Sequence, residues 1–371
     1  MELHLYSHGG DVLGVAATFG IDPKRLLDFS ANINPFGPSQ SVLDAVREAA
    51  ADVSALTQYP QPRAPHLTQK IAARFGIDPA TIVIGHGSAG LLDAIVHALR
   101  PRTALMPVPA FSEYHRVCAA TNCTIVPFVL ESRNDFRLDI NAFLTALATI
   151  RPDIVLLNNP HNPSGSLLSR ADILTIVNAA ASHGVLTIVD EAFIDYVPED
   201  STLDVAAQSN TLIVLRSFTK FYAFPGLRVG YAVSVPENIR RIEHTLPSWP
   251  VSSVALSAAE ATLDDDVFER HTLKQNAIER TRMIEALSAL GLRVTPSSAN
   301  YLFVDCGALA KTARKLREKL IIRSSIIVRA CDDYASLENT AYIRIAVRGS
   351  EDNDRLLAAL ASFVPLVKND V

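Results

Sequence analysis

Between about residues 80 and 235, short unbroken apolar runs alternate with stretches whose apolar positions recur every three or four residues. Residues 81–84, 103–106, 153–157, 186–189 and 212–215 are rich in β-branched side chains and show little polar alternation. Strands look like this when helices cover both faces of their sheet. Residues 91–99, 113–120 and 170–182 carry helical spacing between them. The order predicts an α/β protein built on a doubly wound, mostly parallel sheet, with its ligand site beyond the carboxyl ends of the strands. After Tyr231-Ala232-Val233 the pattern breaks at Leu246-Pro247-Ser248-Trp249-Pro250. One long helical region over residues 254–290 follows, then strands at 302–304 and 342–347 of a smaller α+β C-terminal lobe. The division expected is an N-terminal arm at 1–35, a large domain at 36–248 and a small domain at 249–371.

Length supports two lobes, because 371 residues exceed the roughly 250–300 at which a single core stops growing. With 49% hydrophobic and 20% charged residues the chain reads as an ordinary globular enzyme rather than a disordered one. A net charge of −5 without long like-charged blocks argues against nucleic acid. No run of eighteen apolar residues suggests a membrane span. Cys118, Cys123, Cys306 and Cys331 are too scattered for a disulfide framework or a zinc site, which fits a reducing cytoplasm.

The chemistry concentrates in Arg216-Ser217-Phe218-Thr219-Lys220 and the Gly226-Leu227-Arg228-Val229-Gly230 that follows, read with Val189-Asp190-Glu191 upstream. A lysine among apolar residues, with Arg228 eight positions on, can lose its proton near neutral pH, as a nucleophilic amine must. Asp190 closes an apolar strand, where it would keep a pyridine nitrogen protonated. Ser217, Thr219 and Arg228 would bind a phosphate. Together they describe a site for pyridoxal 5′-phosphate, with Lys220 attaching the cofactor. Gly85-His86-Gly87-Ser88-Ala89-Gly90 also matches a dinucleotide pattern, yet the next strand ends in Met106-Pro107-Val108-Pro109 rather than the acid a dinucleotide ribose needs. The turn therefore reads as a single-phosphate cradle whose donors are the amides of Gly87, Ser88 and Ala89. Phe111 would stack on the pyridine ring, and Asn162, in Asn158-Asn159-Pro160-His161-Asn162-Pro163, would donate to its phenolate oxygen.

On these residues the chain resembles the fold type I pyridoxal-phosphate enzymes over essentially its whole length. It is similar to the branch holding histidinol-phosphate aminotransferases and L-threonine O-3-phosphate decarboxylases. His8-Gly9-Gly10, the segment from Leu27 to Pro35, and Phe193 where the aminotransferases usually carry tyrosine favour the decarboxylases. The resemblance implies decarboxylation of L-threonine O-3-phosphate to an aminopropanol phosphate for cobalamin biosynthesis; the alternative is transamination of histidinol phosphate or a related amino acid with 2-oxoglutarate. It further implies a homodimer in which Tyr59 reaches the neighbouring subunit's cofactor phosphate. Arg344 would hold the substrate carboxylate, while His8, Gly9, Asn32 and Arg329, or Arg323 in place of Arg329, would line the substrate-phosphate pocket.

Overall fold

The structure is a computed structural model, and it describes residues 9–364. A helix at Val12–Phe19 and the two-residue strand β1 (Leu27–Asp28) precede the main sheet. That sheet contains β2 (Ile82–Gly85), β3 (Thr103–Val108), β4 (Thr124–Val129), β5 (Ile154–Asn158), β6 (Leu186–Asp190), β7 (Leu212–Ser217) and β8 (Gly230–Val233). Their spatial order is β2-β8-β7-β6-β5-β3-β4. The strands from β7 to β4 run parallel, and β8 runs antiparallel to both of its neighbours. Every residue of β5 and β7 is buried, as their unbroken apolar runs require of a sheet covered on both faces. The edge strand β4 does not stand out in the sequence. Its half-exposed faces and Pro127 break the pattern, and proline is tolerated there because an edge strand pairs on one side only.

The helix Arg170–Ser182 falls where its spacing predicts, capped by Ser169, whose side chain accepts from the Asp172 N–H. The long helix expected over 254–290 is two helices, Ser253–Thr262 and Asp266–Ala289. Helical spacing continues across the break, but Asp265 accepts from the Phe268 N–H and starts a second helix. The first of the two contributes Ala255, Ala258 and Ala259 to the core beneath the main sheet.

The smaller lobe is an antiparallel sheet of β9 (Arg293–Thr295) and β10 (Tyr301–Asp305), joined after β11 (Ile326–Ile327) by β12 (Arg329–Ala330) and β13 (Tyr342–Ala346), in the order β12-β13-β10-β9. Its core gathers Met283, Leu287, Leu302, Ile343 and Leu356, and takes in Leu27 and Phe29 from near the N-terminus. Those two arrive because β1 pairs parallel with β11, Leu27 against Ile326 and Asp28 against Ile327.

Candidate active site

The sheet brings four chain crossings to one edge. Asn158 pairs with Asp190 at the ends of β5 and β6. Gly230, at the start of β8, lies between Gly85 and Ser217 at the ends of β2 and β7. Because β8 is antiparallel, the helix following β2 starts beside the loop following β7. Glycine makes that closeness possible: a Cβ on Gly230 would stand 2.8 Å from the Arg216 carbonyl oxygen, 2.8 Å from the Ser88 nitrogen and 2.9 Å from the Gly87 carbonyl carbon. Gly87 is itself left-handed at φ +81°, and a Cβ there would meet the Arg228 guanidinium at 2.8 Å. The outcome is a helix N-terminus, Gly87–Leu99, with free amides facing an arginine, a place built for an anion.

Beyond this edge lies a cavity of about 340 Å³. Ser88, Ala89, Thr219 and Arg228 line it, as do Phe111, Asp190 and Asn162, Gly9, Asn32 and Arg344, with Lys220 also bordering the space. Gly87 and Ser217 sit behind this lining; the Ser217 and Thr219 hydroxyls are 2.7 Å apart, and Ser217 Oγ accepts the Thr219 N–H at 3.2 Å. Lys220 is accessible only in part, and its ammonium pKa is held down to about 8, by burial first and then by the positive charges of Arg344 and Arg228, with Asp190 acting in the opposite sense.

Asp190 is fixed from two sides. The Tyr114 hydroxyl donates to Oδ2 at 2.8 Å and the Ala192 N–H to Oδ1 at 3.0 Å. Burial pushes the Asp190 carboxyl up, against these hydrogen bonds and the Lys220 charge. Asn158 Nδ2 donates to the Asp190 carbonyl at 2.8 Å, and its Oδ1 accepts the Asn162 N–H at 2.7 Å. Asn162 Oδ1 in turn accepts from Arg344 Nη1 at 2.6 Å, and Arg344 Nη2 donates to the Ser30 carbonyl at 2.8 Å. Gly9 approaches that same carbonyl so closely that a Cβ would lie 2.0 Å from its oxygen. The Asn32 amide is buried, and its oxygen has no hydrogen-bond partner among the described residues.

The remaining expected residues lie elsewhere. Arg329 faces Arg344 across the β12–β13 pair but does not line the cavity; its guanidinium donates to Asp333 at 2.9 Å and stacks 4.8 Å from the Tyr334 ring centroid. Arg323 is exposed on the helix Ala313–Ser324 and covers Phe363 at 5.4 Å. Tyr59 is 77% exposed and stacks on Trp249 with ring centroids 4.1 Å apart, outside this chain's cavity. His8 lies outside the described residues. Sequence reasoning places Asn158 at a strand end without giving it a role, and it missed Tyr114, although a tyrosine three residues after Phe111 was the available signal.

Residues 24–360 match the family described as aminotransferase class I and II. The chain belongs to that family. At 35% identity, covering 98% of both chains, it is similar to the threonine-phosphate decarboxylase of Salmonella typhimurium strain LT2. At 32% identity, covering 98% of this chain and 96% of the other, it is similar to histidinol-phosphate aminotransferase 2 of Pseudomonas aeruginosa. The crystal structure of the histidinol-phosphate aminotransferase of Sinorhizobium meliloti, in complex with pyridoxal-5′-phosphate, superposes with a TM-score of 0.86 at 27% identity, covering 96% of this chain and 94% of that one. This aminotransferase-family chain therefore has the fold type I architecture and uses pyridoxal phosphate, and the helix N-terminus at Gly87 facing Arg228, with the buried Asp190, fits that group.

Gly230→Ala tests the cradle. Its Cβ forces the Gly87–Ser88 turn away from β8, and overpacking of this kind costs roughly 1–3 kcal/mol. Cofactor affinity in equilibrium dialysis should fall by about tenfold to a hundredfold, with little change in the fold's circular dichroism. Unchanged affinity would show that the close approach does not shape the site.

Proposed function

We propose that this protein is a pyridoxal-phosphate-dependent decarboxylase of L-threonine O-3-phosphate. The observation that carries the reading is the N-terminal segment packed into the cavity wall: Gly9 against Ser30, with the buried Asn32 amide beside it. A substrate phosphate would meet donors from this segment. Phe193 supports the same choice, since it lines the cavity and meets Tyr301 edge-on at 4.9 Å, offering no hydroxyl.

Pyridoxal phosphate supplies, when bound, an electron sink for the substrate's α-carbon. In our assignment Gly87, Ser88, Ala89, Ser217, Thr219 and Arg228 hold its phosphate, Phe111 stacks on its ring, Asn162 donates to its phenolate oxygen, and Asp190 keeps its ring nitrogen protonated. Arg344, braced by Asn162 and Ser30, positions the substrate carboxylate. Arg329 reaches the substrate phosphate on release from Asp333. Which bond at the α-carbon lies perpendicular to the ring decides between carbon dioxide loss and proton removal, and anchoring both ends of the substrate fixes that choice. Lys220 then returns a proton to the α-carbon.

Transamination of histidinol phosphate is the second reading, favoured by the 32% identity to an enzyme of that name. Incubation with L-threonine O-3-phosphate, measuring carbon dioxide and keto acid together, separates the two. Stoichiometric carbon dioxide without 2-oxoglutarate is expected; glutamate formed from 2-oxoglutarate and histidinol phosphate, with no carbon dioxide from threonine phosphate, would replace the first reading with the second.

The exposed Tyr59–Trp249 stack supports a homodimer in which Tyr59 completes the neighbouring site. Tyr59→Phe should weaken cofactor retention, and mixing it with Lys220→Ala chains should form hybrid dimers with one undamaged site. A protein that stays monomeric and active at every concentration would end this assignment.

A further inference from the structure

A second cavity of about 310 Å³ shares Asn158 with the first and has no part in the chemistry above. Its apolar lining includes Phe136, Leu138, Leu157 and Leu168, and His161 and Ser166 add uncharged polar groups. Phe136 also meets Phe303 and Tyr342 of the smaller lobe, at 5.1 and 5.2 Å between ring centroids. Phe136 thus joins the cavity wall to the smaller lobe.

Two opposite charges line the same space, Arg137 and Asp172. Arg137 has its backbone tied to Asn134, and its exposed guanidinium has no ion pair among the described residues. Asp172 Oδ2 accepts from the Ser169 hydroxyl at 2.7 Å, leaving Oδ1 without a hydrogen bond among the described residues. One cation and one anion over an apolar lining decide the class of ligand. A phosphate or dicarboxylate would find a single cation and a repelling carboxylate, and an uncharged apolar molecule would use neither charge. A zwitterion with an apolar tail answers all three.

We propose that this cavity is a second, noncatalytic binding site for a free α-amino acid with an apolar side chain, its carboxylate on Arg137 and its ammonium on Asp172. The ligand is linked to the first site through their common wall. Asn158 accepts the Asn162 N–H at 2.7 Å, and Asn162 accepts from Arg344 at 2.6 Å, so a ligand that restrains Asn158 bears on the residues beside the cofactor. Such coupling is reciprocal between the two sites. It stands whether the first site decarboxylates or transaminates.

The test is calorimetric titration of the borohydride-reduced holoenzyme with L-leucine and L-phenylalanine. Saturable binding is expected, weakened roughly tenfold by Arg137→Ala or Asp172→Asn, as loss of one charge-assisted contact implies. 4-Methylpentanoate and 3-methylbutylamine, each keeping one of leucine's two charges, should bind weaker by a similar factor, and binding should survive Arg344→Ala. Absence of saturable binding overturns the proposal. So does binding that Arg344→Ala abolishes and Arg137→Ala leaves intact, because the ligand then occupies the first cavity.

Discussion

Lys220→Ala is expected to abolish turnover while the protein still retains pyridoxal phosphate noncovalently. The amide cradle, Thr219 and Arg228 do not depend on the lysine, so the phosphate keeps its donors. What disappears is the attachment that borohydride reduces and the proton returned to the α-carbon, a transfer worth roughly 10²–10⁴-fold by itself. The measurements are carbon dioxide release, the borohydride-sensitive visible band and equilibrium dialysis. An alanine variant with full activity would falsify the role given to Lys220. The same amine carries a pH signature. With its pKa held down to about 8, the apoprotein's Lys220 is mostly protonated below that pH and mostly free above it. Its rate of reaction with a simple aldehyde under cyanoborohydride should therefore rise with pH and level off above about 8. Arg344→Ala removes a charge that disfavours the ammonium and should move the midpoint upward.

The second large effect belongs to Asp190. In the proposed assignment Asp190→Ala deprives the ring nitrogen of its anionic partner in a buried place, and breaking a buried charge pair costs roughly 3–5 kcal/mol. If that loss falls on the transition state, kcat drops by roughly 10²–10⁴-fold. A cofactor methylated at the ring nitrogen carries a permanent positive charge and should restore part of the rate in the alanine variant. Tyr114→Phe is the control for packing, because it removes one donor to Asp190 and leaves the carboxylate; its effect should stay within about tenfold. Wild-type kcat in Asp190→Ala would remove the carboxylate from the mechanism.

The sheet could be read from the chain because its central strands are buried on both faces, which leaves continuous apolar runs at residues 154–157 and 212–215. The site's position came with the sheet, since Asp190 and Ser217 are the last residues of β6 and β7. Pairings between distant parts of the chain could not be read. The Tyr114–Asp190 bond spans 76 residues and the Arg344–Ser30 bond 314, and no local periodicity records either. For the same reason Leu27 and Phe29 gave no sign of belonging to the smaller lobe. Helical spacing hid the break at 263–265, where acidic capping outweighs apolar repetition.

The segment from Leu27 to Asn34 is fastened at both ends. Phe29 donates its N–H to Ile327 and accepts from Ala346 in the smaller lobe. Five residues later, the Asn34 N–H donates to the Lys220 carbonyl at 3.1 Å, and its side chain donates to the Phe221 carbonyl at 2.8 Å. Mechanically this is a crossbeam. A rotation of the smaller lobe must either stretch those few peptide units or drag the lysine loop with it, so the lobe's position is tied to the peptide units at Lys220 and Phe221.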